Sequence, residues 1–133
     1  MRRPHVSVVL ATICLAACGA PPDALVARCT TPALSVATTC ELTARVLRQE
    51  RSVFIDGGTN ARVRLKARFE LKTGQVTVAL PCANGRFTVT PDEPVSFECD
   101  AAVDRGNRKI QIDATPASPG PQGLSGTLEL RPL

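Results

Sequence analysis

Residues 62–71, "RVRLKARFEL", alternate without a break: Val63, Leu65, Ala67, Phe69 and Leu71 fall on one side, and Arg62, Arg64, Lys66, Arg68 and Glu70 on the other. A period of two belongs to a strand, whose successive side chains point to opposite faces; a helix would scatter the same apolar residues around its circumference. The stretch is therefore a half-buried strand of a sheet with one wet face, and whatever pairs with it must follow the same plan. The rest of the chain does. "QVTVALPC", residues 75–82, turns Val76, Val78 and Leu80 inward, Asn84-Gly85 supplies the residues that a tight hairpin prefers, and "RFTVT" returns as the second arm. Pro91 and Pro94 bracket the next turn, after which Val95, Phe97 and Cys99, then Ile110, Ile112 and Ala114, then Leu128 and Leu130 repeat the alternation. Residues 115–123, "TPASPGPQG", cannot continue a ladder and read as an exposed loop, and Ser125 in "GLSG" reads as a loop serine. Residues 40–50 alternate through Cys40, Leu42, Ala44 and Val46, yet are rich in helix formers behind Thr39 as a cap; strand is the favoured reading. About seven or eight short strands with turns between them, and no βαβ alternation, predict an all-β antiparallel sandwich.

The N-terminus is built differently. Met1-Arg2-Arg3 precedes an apolar stretch of about ten residues, which is too short to cross a bilayer and has the form of a secretory signal. It ends in Leu15-Ala16-Ala17-Cys18, which resembles the lipobox of bacterial lipoproteins at all four positions. The resemblance implies cleavage before Cys18, a diacylglyceryl thioether on its sulfur and attachment to an envelope membrane. Gly19, standing where an aspartate would retain the protein at the inner membrane, implies the outer membrane of a Gram-negative host. On this reading residues 1–17 are the signal, 18–27 a lipidated tether containing Pro21-Pro22, and 28–133 one domain. The alternative is an ordinary secreted protein whose Cys18 enters a disulfide.

Six cysteines, less Cys14 in the signal and Cys18 under lipid, leave Cys29, Cys40, Cys82 and Cys99, an even set suited to an oxidising compartment. They show no C-x-x-C spacing, and the single histidine, His5, departs with the signal. Neither a metal centre nor a mechanism with an imidazole base is expected, and no cofactor is implied. Two pairings compete. The sequence-local scheme joins Cys29–Cys40 and Cys82–Cys99; the other joins Cys40–Cys99 and Cys29–Cys82. If residues 76–82, 86–90 and 95–99 form a simple meander, Cys82 and Cys99 flank the middle strand at about 9 to 10 Å, beyond the reach of about 7 Å that a bridge allows. They must then meet past the strand ends or across facing sheets. The local scheme is the first choice. Two cross-links suit a core with four phenylalanines and neither tryptophan nor tyrosine.

Phe97-x-Cys99-x-Ala101-x-Val103 resembles the F strand of immunoglobulin-like domains, with Phe97 at the family's corner tyrosine, Cys40 59 residues earlier and Phe54 near the core tryptophan. This resemblance implies a sandwich and, as an alternative function, an adhesion or assembly module.

The whole chain carries a formal charge of +4, which falls to about +2 once Arg2 and Arg3 are removed, and no nucleic-acid partner is expected. Asp92-Glu93, between prolines, reads as turn chemistry; Asp100, Asp104 and Asn107 fit no calcium loop. An enzyme would need a carboxylate site that the sequence does not display, and a sugar platform would need flat rings that it lacks. A non-catalytic binding or structural role in the envelope is expected, with a membrane contact through Cys18. The one surface that can be named is Arg62, Arg64, Lys66 and Arg68. The row is either a wet face matched by acids such as Glu98 and Glu129, or a contact for an anionic envelope component or a protein partner, in which case reversal of Arg64 and Lys66 should abolish it.

Overall fold

The computed structural model describes residues 23–34 and 36–133; Cys18 and the lipobox lie outside the described residues. Nine strands appear, β1 (Val26–Thr30), β2 (Thr38–Val46), β3 (Arg51–Asp56), β4 (Arg62–Glu70), β5 (Val76–Ala79), β6 (Arg86–Val89), β7 (Val95–Ala102), β8 (Lys109–Pro116) and β9 (Gln122–Pro132). They form two antiparallel sheets, β1-β2-β9-β4-β7 (sheet A) and β3-β8-β5-β6 (sheet B). The order β2-β9-β4-β7 facing β3-β8-β5-β6 is that of a jelly roll, with β1 added at one edge.

Alternation fixes what lies between the sheets. Val63, Leu65, Ala67 and Phe69 of β4 are buried beside Leu42 and Ala44 of β2 and Leu124, Leu128 and Leu130 of β9, and sheet B answers with Ile55, Val76, Val78, Val89, Ile110 and Ile112. One inward position of β9 is empty. Gly126 stands across from Phe69 on one side and Leu42 on the other, and a Cβ there would overlap the Phe69 ring. That ring packs 5.8 Å from Phe87 of β6, which stacks on Phe97 of β7 at 5.5 Å, so three phenylalanines span the gap between the sheets.

Several expectations need correction. The described residues form nine strands; β1 and β3 are the short edge strands that the pattern did not mark. β2 ends at Val46, and the helix formers after it lie in a loop that Leu47 ties down by donating its N–H to Pro121 O, at 2.9 Å. β8 reaches Pro116 and β9 starts at Gln122, so the Pro/Gly loop is shorter than expected and Ser125 lies within a strand, facing outward. The meander also fails: β6 belongs to sheet B and β7 to sheet A. Cys82–Cys99 therefore joins the facing sheets, with 6.4 Å between Cα atoms, while Cys29–Cys40 links directly opposed residues of β1 and β2. Phe54 is not at a core position, because Val53 and Ile55 take the inward sites of β3 and leave Phe54 57% exposed.

The fold also begins earlier than residue 28. Leu25 is buried, and both oxygens of the Asp23 carboxylate accept hydrogen bonds from Arg51 Nη2, at 2.7 and 2.8 Å. The hydrogen bond from Arg51 outweighs burial and holds the Asp23 carboxyl below its usual value of 3.8. A carboxyl with a depressed folded-state pKa stabilises the fold above its unfolded value and ceases to do so as pH falls through the folded one. Asp23→Asn should accordingly lower the urea midpoint at neutral pH, and the deficit should shrink toward zero as acid protonates the parent. An equal deficit at neutral and strongly acid pH would contradict this assignment.

Candidate binding face of sheet A

β4 is an interior strand between β9 and β7, so its cations do not guard a free edge. Register gives each its neighbours. Arg64 lies between Asp100 and Arg131, Lys66 between Glu98 and Glu129, and Arg68 between Ser96 and Thr127, while Arg62 faces Ala102 near the strand end. Arg64 is engaged by two carboxylates: Nε donates to Asp100 Oδ1, and Nη1 lies 3.4 Å from Glu98 Oε2. The hydrogen bond to Asp100, and then that carboxylate's charge, raise the Arg64 pKa further above its usual value. Glu129 is bound in turn by Arg131, at 3.3 Å.

The charged row is thus divided. Lys66 makes no ion pair with any described residue although a carboxylate stands on each neighbouring strand, and Arg68 has one hydrogen bond, Nη1 to Ser96 Oγ at 3.3 Å. Both line an open depression of about 680 Å³ whose polar surroundings are Thr39, Ser96, Thr127, Glu98 and Glu129. A smaller hollow shares Arg68 and Thr127 and continues past Ser125 to Glu41 and Thr43. The trough follows from the sequence of β9. Its outward residues Ser125 and Thr127 are short, whereas β4 beside it carries Lys66, Arg68 and Glu70. The result is a hydroxyl floor with two cations spaced by one strand repeat, about 7 Å.

The face accordingly brings Lys66 and Arg68 together with hydroxyls and leaves Arg62 and Arg64 outside. Along the sequence Glu98 and Glu129 stand out as acidic neighbours and Thr39 as a cap candidate, whereas Ser96 and Thr127 carry no signal beyond the outward position that each takes in a strand of period two. The other candidates lie apart from this face or are already engaged. Asp104 Oδ1 accepts from Gly106 N and Asn107 Oδ1 from Lys109 N, while Asp100 is occupied by Arg64. Asp92 and Glu93 sit in the turn closed by Glu93 N donating to Thr90 O. A second hollow, of about 310 Å³, opens between the sheets at the end of the sandwich opposite Asp23, lined by Val36, Ile55, Val63, Leu130 and Pro132.

No family model and no curated protein matches the chain. Among solved structures it is similar to the CBM22-1 xylan-binding domain of Paenibacillus barcinonensis Xyn10C, with a TM-score of 0.39, 14% identity, and coverage of 83% of this chain and 87% of that one. The CBM29-2 module solved with mannohexaose gives a TM-score of 0.33 and 14% identity over 81% and 80% of the two chains. The cupin domain of Schizosaccharomyces pombe Cnp3 gives 0.38 and 8% over 78% of this chain, which spans only 63% of that one. These are distant likenesses of fold. The jelly-roll order stands on the strand pairing itself.

Proposed function

We propose that this is an exported, non-catalytic binding domain of a bacterial envelope, anchored by lipid on Cys18, whose sheet A face takes an acidic, hydroxyl-bearing polymer. The observation that carries the reading is the pair Lys66 and Arg68, without an ion pair among the described residues, in an open trough with the hydroxyls of Thr39, Ser96 and Thr127, while the two carboxylates there, Glu98 and Glu129, are taken by Arg64 and Arg131. An ammonium and a guanidinium one strand repeat apart match acidic groups along an extended chain, and the hydroxyls of Thr39, Ser96 and Thr127 complement its polar remainder. The anchor is supported by Leu15-Ala16-Ala17-Cys18 and by the consumption of the other four exported cysteines in two disulfides.

Residues 19–133 should bind an oligogalacturonate at low salt and should not bind a neutral oligosaccharide of equal length. Each charge near an anionic polymer contributes about 1 kcal/mol, so Lys66→Glu/Arg68→Glu should weaken binding by at least about thirtyfold. Arg64→Ala should leave it within about threefold, because that guanidinium already belongs to Asp100. Equal affinity for the neutral sugar, or indifference to the double reversal, would overturn the reading. The anchor has its own assay: a radioactive fatty acid should label the wild type and not Cys18→Ala.

A further inference from the structure

We infer that the N-terminal pole of the sandwich is a second binding surface, formed by Arg45, Arg48 and Lys72, that rests on anionic phospholipid headgroups. The place where the chain leaves the described domain sets the geometry. Asp23 is held by Arg51 and Leu25 is buried, so the described chain begins at the end where β2 passes into β3. Cys18 lies five residues before Asp23, and five extended residues span at most about 18 Å. A domain tethered so closely keeps this pole within about two Debye lengths of the headgroups at physiological salt.

The charges at this pole suit that neighbour. Arg45 is exposed near the end of β2, with its neighbours Ala44 and Val46 paired to Leu124 and Gln122, so that it stands across from Gly123. The alkyl chain of exposed Lys72, just beyond β4, covers Gly123, whose φ of 73° is one that favours glycine. Arg45 and Lys72 thus flank a position with no side chain of its own. Exposed Arg48 follows in the β2–β3 loop, close enough to Asp23 to help hold that carboxyl below its usual pKa. None of the three makes an ion pair with a described residue. Of the nearby acids, Asp23 binds Arg51 and Glu50 accepts from the Thr115 hydroxyl, exposed Glu70 ends β4 two residues before Lys72 and is outnumbered by the three cations, and Asp92 and Glu93 lie in the β6–β7 turn at the other edges of the two sheets. The orientation rests on the lipid-anchor reading; the charged surface does not.

The test uses residues 19–133, which carry every strand, the buried core and both disulfides, without lipid. This protein should sediment at low salt with vesicles of phosphatidylglycerol and phosphatidylcholine, and not with phosphatidylcholine alone. Arg45→Glu/Arg48→Glu/Lys72→Glu should lower the partition coefficient about a hundredfold in a protein that still unfolds cooperatively, whereas Lys66→Glu/Arg68→Glu should leave it unaltered. Equal sedimentation with neutral vesicles, indifference to the triple reversal, or loss with the Lys66/Arg68 variant instead would each overturn the inference. Absence of fatty-acid label on Cys18, together with vesicle binding that still depends on the three cations, would refute the anchor and support the surface.

Discussion

Gly126→Val should be among the most damaging single substitutions in the chain, costing about 3 kcal/mol or more of unfolding free energy. Gly126 is an inward residue of β9, the central strand of sheet A, and has Leu42 and Phe69 as its cross-strand neighbours. The Phe69 ring lies over it, only 1% of the residue is exposed, and Phe87 closes the far side. A valine there requires the ring to leave its site or β9 to leave the sheet. A domain of this size has about 5 to 15 kcal/mol in all, so the variant should show a clearly lower urea midpoint. Coupling identifies the cause: adding Phe69→Leu, which vacates the space, should recover part of the loss. If the two substitutions simply add, Phe69 is not what Gly126 accommodates.

Loss of the Cys82–Cys99 bridge should cost about 3 kcal/mol on the loop-entropy model, for a sequence separation of 17. Its position makes the loss sharper than that of a cross-link within one ladder. β6 and β7 are edge strands of different sheets, and along this side the bridge is joined by the β6–β7 turn at one end and by packing such as Phe87 on Phe97. Cys82→Ala/Cys99→Ala should therefore raise amide exchange across β6 and β7 first. Removal of Cys29–Cys40, which links β1 to the β2 already paired with it, should instead loosen β1. A pattern of exchange that is the same for both pairs would contradict this division of labour.

Much of the sandwich was legible because the wet side of sheet A leaves a strict period of two in β2, β4 and β9. What the pattern missed has physical reasons. β1 and β3 are short edge strands, of five and six residues, with few inward positions to repeat. The crossing from β6 to β7 was hidden because Pro91 and Pro94 mark a turn without saying whether the chain returns beside its own strand or enters the facing sheet. The basic row was legible as a row, but its division was not. Arg64 and Lys66 look alike along the chain, and they differ because β7 places Asp100 within reach of Arg64, which also takes Glu98, while Arg131 takes Glu129, so that neither carboxylate beside Lys66 pairs with it. Reversing Arg64 with Lys66 would therefore combine a structural ion pair with the proposed site; Lys66 with Arg68 isolates the site.

The most direct measurement is an amide chemical-shift titration of residues 19–133 with an oligogalacturonate at low salt. Shifts are expected only in the trough, at Thr39, Lys66, Arg68, Ser96 and Thr127, and should weaken with added salt and vanish in Lys66→Glu/Arg68→Glu. Shifts centred on Arg45, Arg48 and Lys72 or on the hollow beside Val36, or no shifts at all, would contradict the proposed site.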